Sequence, residues 1–196
     1  IIENAYLFIE GEHISDYGKM EQMPQELCNK INQGEDPHSG IKVIDATGKM
    51  VFPSFCDSHT HLVYAGSREQ EFVDKINGLS YQEIAARGGG ILNSAELLGN
   101  TSEDDLYKSA LDRAQEIMQT GTGAVEIKSG YGLTPENELK MLRVAKRLAE
   151  NTPLTVKTTF LGAHAFPARY ANDKNGYVEE IINIMIPMVA AEGLAE

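Results

Sequence analysis

Residues 55–62 read FCDSHTHL and place two histidines, His59 and His61, at positions i and i+2. Along a β-strand such residues point to the same face, so both imidazoles would converge on one point beside the strand. On a helix the same spacing would turn the two rings about 200° apart. The preceding run, residues 50–55 (MVFPSF), is apolar and β-prone, which predicts a buried strand. The pair therefore indicates two metal ligands on one strand, or alternatively two ordinary polar residues in a loop.

The composition is that of a globular protein and argues against several classes of partner. The chain has 196 residues, of which 42% are hydrophobic and 23% charged, enough for one domain or slightly more. Its formal net charge of −12 provides no basic surface for nucleic acid or an anionic membrane. Cys28 and Cys56 lie far apart without a zinc-type spacing, which predicts a reducing, cytoplasmic setting.

Residues 1–49 differ from the rest of the chain and predict part of a small β unit. Residues 5–12 predict a strand that runs into a turn, and residues 42–49 predict a second strand that ends at a glycine turn. The polar stretch between them, including residues 34–40, predicts a loop. A unit of two or three short strands is only marginally stable by itself, so we expect these strands to pair with strands from another part of the protein. The histidines of this region are interpreted as surface residues: His13 and His38.

From residue 50 onward, strand and helix patterns alternate. Residues 122–129 and 154–161 predict two further buried strands. Capping patterns and apolar periodicity predict helices that begin near Glu69, Ser80, Ser102, Thr134 and Tyr177. This alternation predicts successive βαβ units, and hence an α/β fold with a parallel sheet.

Polar residues follow each of the three predicted strands. His59 and His61 end the first strand, Lys128 and Tyr131 follow the second, and His164 follows the third. In parallel α/β folds the chemistry lies at the carboxyl ends of the strands. The sequence therefore predicts one site at this edge of the sheet.

Five segments carry a resemblance to a known family: residues 57–68, 88–91, 125–133, 138–143 and 159–165. Through them the chain resembles the amidohydrolase superfamily of metal-dependent hydrolases and, within it, the imidazolonepropionase family. The His-x-His pair alone is typical of the whole superfamily. The segments EIKSGYGL and FLGAHA are specific to the one family, and the resemblance runs from about residue 2 to the last residue.

The resemblance implies a distorted TIM (β/α)₈ barrel together with a small β-sandwich built from both chain termini. Residues 1–49 would be the N-terminal part of this composite sandwich domain, and residues 50–196 the first βα units of the barrel. Such a barrel needs about 250 residues. The chain is therefore interpreted as the N-terminal portion of a longer one, not expected to be a competent catalyst by itself.

The resemblance also implies that His59 and His61 bind one Zn²⁺ or Fe ion per chain. The remaining ligands of the family, a later histidine and a later aspartate that acts as general base, are expected beyond residue 196. A glutamate near that later histidine is expected there too. The sequence does not decide between zinc and iron.

Three residues are implied to contact the substrate: Arg68, Tyr131 and His164. The planar fork of Arg68 suits a propionate carboxylate, and the alternative is a surface arginine. Tyr131 would hydrogen-bond the substrate, or else pack on the rim of the loop. His164 is the catalytic candidate, which would hydrogen-bond the ring, stabilise charge on the carbonyl oxygen or ligate the metal; the alternative is a core histidine. Lys128 is interpreted as polar support, not as the carbamylated bridge of a two-metal site.

The reaction implied is hydrolysis of the cyclic amide C–N bond of 4-imidazolone-5-propanoate. A metal-activated water would give N-formimidoyl-L-glutamate, a step of histidine degradation. The alternatives are a related cyclic amidohydrolase or deaminase, which a carbamylated Lys128 would favour, and a non-catalytic fragment if the chain natively ends at residue 196. The expected partners are the small-molecule substrate and, by analogy with the family, a second copy in a homodimer.

Overall fold

The computed structural model describes residues 1–33, 41–86 and 89–195. The chain divides into two compact units, Ile1–Phe52 and Pro53–Glu196. Among the described residues, none of the helices is both long enough and apolar enough to span a bilayer.

The first unit contains a β-hairpin and a short helix. Strands β1 (Ala5–Glu10) and β2 (His13–Lys19) pair antiparallel, and Gly11 in the turn between them has a φ of +62°, which glycine adopts without a Cβ clash. Helix α1 (Gln25–Gln33) follows. The predicted turn after β1 and the exposed position of His13 are confirmed.

Two predictions for this unit are wrong. The stretch between the two predicted strands is not a loop throughout, because it contains β2 and α1. Residues 42–49 form no strand, and Val43 and Ile44 are 60% and 73% exposed. A strand needs a hydrogen-bonding neighbour, and none of the described residues pairs with this segment. The predicted loop at residues 34–40, with His38, lies outside the described residues.

The second unit is built on a parallel three-stranded sheet, as predicted. Its strands are β3 (Phe55–Thr60), β4 (Thr122–Lys128) and β5 (Thr155–Thr159), and their order in the sheet is β3-β4-β5. The register pairs Thr60 with Ile127 and Lys128 with Thr159, so the carboxyl ends of the strands lie side by side.

The apolar run before the histidine pair differs from its prediction. The strand begins only at Phe55, and Phe52 and Phe55 are 71% and 67% exposed. β3 is an edge strand of the sheet, so one side of it has no neighbouring strand among the described residues. The pattern therefore identified the strand but misplaced its start and its burial.

Helices connect the strands and cover the sheet. Between β3 and β4 lie α2 (Glu69–Ile76), α3 (Tyr81–Ala86), α4 (Ile91–Asn100) and α5 (Glu103–Gln119). Between β4 and β5 lies α6 (Pro135–Asn151), and after β5 a continuous helix comprises α7 (Lys174–Glu180), a π turn (Ile181–Met185) and α8 (Ile186–Glu192). The sequence does not predict α4, which has no side-chain cap at its N-terminus.

Three of the predicted helix starts are confirmed by their caps, whereas the helix predicted from Tyr177 begins three residues earlier, at Lys174. Ser102 Oγ and Thr134 Oγ1 each accept the backbone N–H three residues later, at 3.1 and 3.2 Å. Ser80 and Glu83 form a capping box in which the side chain of each accepts the backbone N–H of the other, at 3.3 and 2.8 Å. These bonds satisfy backbone donors that a helix leaves free at its first turn.

The apolar faces of α5 and α6 meet the sheet in the main core, as their periodicity predicts. Its buried members are Leu62, Val63, Leu98, Leu106, Ala110, Ala114, Val125, Ile127, Met141, Val144, Ala145, Leu148 and Leu154. Leu62 and Val63 directly follow the histidine pair. The core therefore anchors the carboxyl end of β3 as well as the helices.

Replacing Leu106 with alanine in the full-length protein is expected to lower the free energy of unfolding by about 2–5 kcal/mol, because it leaves a cavity in this core. Leu106 has no exposed surface. Leu92→Ala is the matched control, since that leucine is 48% exposed on α4. Denaturant unfolding of both variants checks this prediction. Equal losses of unfolding free energy would contradict the assignment of Leu106 to the core.

Candidate active site

Four of the predicted site residues lie together at the carboxyl edge of the sheet. The ring centroids of His59 and His61 are 5.7 Å apart. The ring of His61 lies 4.8 Å from that of Tyr131 and 5.0 Å from that of His164. Tyr131 and His164 are themselves 5.4 Å apart. The structure therefore brings side chains from the ends of all three parallel strands into one cluster, which we call the ring cluster.

Backbone contacts between the loops after β4 and β5 explain this convergence. The Ser129 N–H donates to the Thr159 carbonyl, and the Leu161 N–H donates to Ser129 Oγ, both at 3.0 Å. Gly130 has a φ of +111°, and a Cβ placed on it would lie 2.7 Å from the Cβ of His164. Only glycine allows the two loops to approach this closely. The ring cluster thus depends on the Ser-Gly pair that follows β4.

His61 has an environment suited to a metal ligand. Its Nδ1 atom is buried and has no hydrogen-bond partner among the described residues. Burial, followed by the nearby imidazoles of His164 and His59, lowers the pKa of His61 below its ordinary value of 6.5. The ring is therefore neutral at pH 7, which is the form that binds metals. A buried nitrogen without a partner is unusual in a folded protein, and a bound cation would satisfy it.

The described residues hold only part of a metal site. No group of three or more His, Cys, Asp or Glu residues among them is arranged to hold an ion. The ring centroids of His59 and His61 are close enough for one ion between the two imidazoles to bind both. The pair therefore fits two ligands of a larger set.

Arg68 lies outside the ring cluster and pairs with an acid on α2. Its Nε donates to Glu71 Oε2 at 2.9 Å, and its Nη2 donates to the same oxygen. Glu71 Oε1 accepts the Gly90 N–H at 2.8 Å. The hydrogen bond to Glu71 is the main factor that raises the pKa of Arg68, and Tyr131 contributes a smaller electrostatic effect. The guanidinium is thus within electrostatic range of the ring cluster, and its Nη1 edge has no partner in the described chain.

Lys128 forms an ion pair with a neighbour on its own strand. Its Nζ donates to Glu126 Oε1, and Thr159 Oγ1 donates to the same oxygen at 2.5 Å. The bond from Lys128, and then that from Thr159, lowers the pKa of Glu126. Because the amine of Lys128 is engaged by the Glu126 carboxylate, this contact favours its interpretation as polar support.

Several supporting residues were missed by sequence reasoning. Arg113 of α5 donates from Nε to the Leu62 carbonyl at 2.9 Å and from Nη2 to the Tyr64 carbonyl at 3.0 Å, which holds the segment after His61. No sequence signal connects residues so far apart along the chain. Glu126 was detectable, because it lies two positions before Lys128 and therefore on the same face of β4.

No family model matches the chain. Curated relatives do: the imidazolonepropionases of Christiangramia forsetii and Flavobacterium johnsoniae are 57% and 55% identical over 195 residues, which is 100% of this chain and 44% of each relative. That of Brucella anthropi is 40% identical over 196 residues, covering 46% of its length. The chain thus spans about half the length of the curated relatives that it matches. On these similarities and the site described above, the chain belongs to the imidazolonepropionase family.

Proposed function

We propose that the full-length protein hydrolyses the cyclic amide C–N bond of 4-imidazolone-5-propanoate to give N-formimidoyl-L-glutamate, a step of histidine degradation. The observation that carries this proposal is the ring cluster at the carboxyl ends of three parallel strands. In the overall reaction water adds across the C–N bond, so the hydroxyl joins the carbonyl carbon and the leaving ring nitrogen gains a proton. The identity to curated imidazolonepropionases supports this substrate over other cyclic amides.

The proposed fold of the full-length protein is a TIM (β/α)₈ barrel of the amidohydrolase type. The order β3-β4-β5 follows the chain without reversal, as in a singly wound barrel, whereas a doubly wound sheet reverses at a switch point. We further propose that residues 1–49 are part of a composite β-sandwich domain and that residues 50–196 provide the first βα units of the barrel.

The proposed cofactor is one Zn²⁺ or Fe ion, held by His59 and His61 together with ligands that lie beyond residue 196 in the full-length protein. The buried Nδ1 of His61 and the neutral state of its ring support this assignment. The chemistry that such an ion supplies when bound is activation of water near neutral pH and polarisation of a carbonyl group.

The other site residues are proposed to bind and orient the substrate. Arg68 would hold the propionate carboxylate through the guanidinium edge that Glu71 leaves free. Tyr131 would hydrogen-bond the imidazolone ring. His164, 5.0 Å from His61 between ring centroids, would donate to the carbonyl oxygen as charge develops on it.

The site is proposed to hold one metal ion, not two. A two-metal site of the sister hydrolases would need Lys128 as a bridging carbamate. The ion pair between Lys128 and Glu126 opposes that modification. We propose a cytoplasmic location, which the free state of both cysteines, Cys28 and Cys56, supports, and a homodimer by analogy with the family.

Turnover by the full-length protein on a small substrate panel tests this proposal. The panel contains 4-imidazolone-5-propanoate, a dihydropyrimidine and an aminopurine, and the change in ultraviolet absorbance is measured for each. We expect hydrolysis of the imidazolone, with the other two compounds converted far more slowly. Preferred conversion of either of the others would replace this function with that of a sister hydrolase or deaminase.

A further inference from the structure

Glu138 is a buried carboxylate beneath the loop that carries Tyr131. It lies in the first turn of α6 and has 0% of its surface exposed. It is not a member of the ring cluster. A buried charge is costly unless it is paired or hydrogen-bonded, so the partners of this carboxylate indicate what it does.

These partners are backbone amides on both sides of Tyr131. Glu138 Oε2 accepts the N–H of Gly130 at 2.8 Å. Its Oε1 accepts the N–H of Gly132 at 2.8 Å and that of Leu133 at 2.9 Å. One carboxylate therefore fixes the backbone immediately before and immediately after the tyrosine.

The loop needs this support because its backbone is unusual. Gly130 and Leu133 have φ values of +111° and +57°, and a positive φ is rarely adopted by a residue such as leucine. A Cβ placed on Gly132 would lie 2.4 Å from the backbone nitrogen of Glu138, so the loop packs directly on the start of α6. Without the carboxylate, three amides facing the helix would lose their acceptor.

We propose that Glu138 is a positioning residue of the active site. Its carboxylate holds the loop so that the ring of Tyr131 stays 4.8 Å from His61 and 5.4 Å from His164. The effect on turnover rests on the proposed function, because it requires Tyr131 to contact the substrate. The effect on the place of Tyr131 rests on the hydrogen bonds alone.

A double-mutant cycle in the full-length protein tests the link to turnover. In Glu138→Gln, Oε1 can still accept two amides, but the new NH₂ group faces the Gly130 N–H, donor against donor. We expect kcat/KM to fall about 10- to 100-fold, as for other small misplacements of a binding group. In a Tyr131→Phe background the same change should lower kcat/KM less than about twofold, because the effects of substitutions at coupled residues are not additive. Equal losses in both backgrounds would overturn the proposal.

Glu136→Gln is the matched control, because it removes the same charge from the same helix turn at an exposed position. It should leave kcat/KM unchanged. A loss as large as that of Glu138→Gln would assign the effect to the charge of the helix start and would overturn the proposal.

Fluorine NMR gives a readout that does not need activity. The eight tyrosines are labelled as 3-fluorotyrosine, and the Tyr131 signal is identified by its loss in Tyr131→Phe. We expect Glu138→Gln to shift or broaden this signal and to leave the signals of Tyr6 and Tyr17 unchanged. An unchanged Tyr131 signal would overturn the proposal. If the wild-type protein does not hydrolyse the imidazolone, the proposed function fails and this spectrum alone decides the role of Glu138.

Glu138→Asp provides the same test if the glutamine variant does not fold. It keeps the charge but is one methylene shorter, so it cannot reach all three amides. The Tyr131 signal should again shift or broaden in this variant. An unchanged Tyr131 signal would overturn the proposal.

Discussion

Replacing His59 with alanine in the full-length protein is expected to abolish metal retention. In the proposed metal site His59 and His61 are the two imidazoles that converge at the end of β3, and removal of one would leave a ligand set too weak to retain the ion. Turnover should fall by more than about 100-fold, since changes of outer-shell partners alone typically cost 10- to 100-fold. Metal analysis of the purified variant, alongside its rate, is the measurement.

His13→Ala is the matched control for this variant. His13 is an exposed histidine in the first unit of the chain, distant in sequence from the ring cluster. It should retain the metal and the rate of the parent protein. A His59→Ala variant with as much metal as this control would remove His59 from the ligand set.

Replacing Arg68 with alanine is expected to raise KM about 10- to 100-fold with little change in kcat, the size of a lost hydrogen bond to a charged group. In the proposed binding mode Arg68 holds the propionate carboxylate of the substrate, which would lie away from the reacting bond, so its binding energy would be equal in the ground and transition states. Arg68→Lys should recover only part of the affinity, because lysine lacks the planar fork. Steady-state kinetics of both variants check this result.

Arg143→Ala is the control for the arginine series. Arg143 and Arg68 have side chains that are 42% and 38% exposed, and each pairs with a glutamate. Arg143 lies on α6 and pairs with Glu192 of α8, and neither residue belongs to the ring cluster. Arg143→Ala should keep the KM of the parent protein. A rise in KM as large as that of Arg68→Ala would show that the loss of any such ion pair produces the effect.

Much of the second unit could be predicted because its signals are local. Ser102 and Thr134 mark helix starts by hydrogen bonds that span only three residues, and the apolar faces of α5 and α6 repeat with the helical period. The parallel sheet followed from the alternation of strands and helices. Because the carboxyl ends of parallel strands share one edge, the meeting of His61, Tyr131 and His164 was predictable without any contact being known.

The failures concern features that depend on partners distant in the chain. Residues 42–49 have the composition of a strand, but composition does not supply the neighbour with which a strand must pair. Residues 50–55 are apolar yet largely exposed, because burial depends on what covers them and not on their own pattern. Arg113 and Glu138 support the site through backbone atoms, and backbone acceptors and donors leave no trace in the sequence.

The most direct test of the central claim is a metal titration of the metal-free, full-length protein in which hydrolysis of 4-imidazolone-5-propanoate is followed. We predict that activity rises linearly with added Zn²⁺ or Fe²⁺ and saturates at one ion per chain. Saturation at two ions per chain would contradict the one-metal site and the role assigned to Lys128. Stoichiometric binding with no hydrolysis would contradict the proposed substrate.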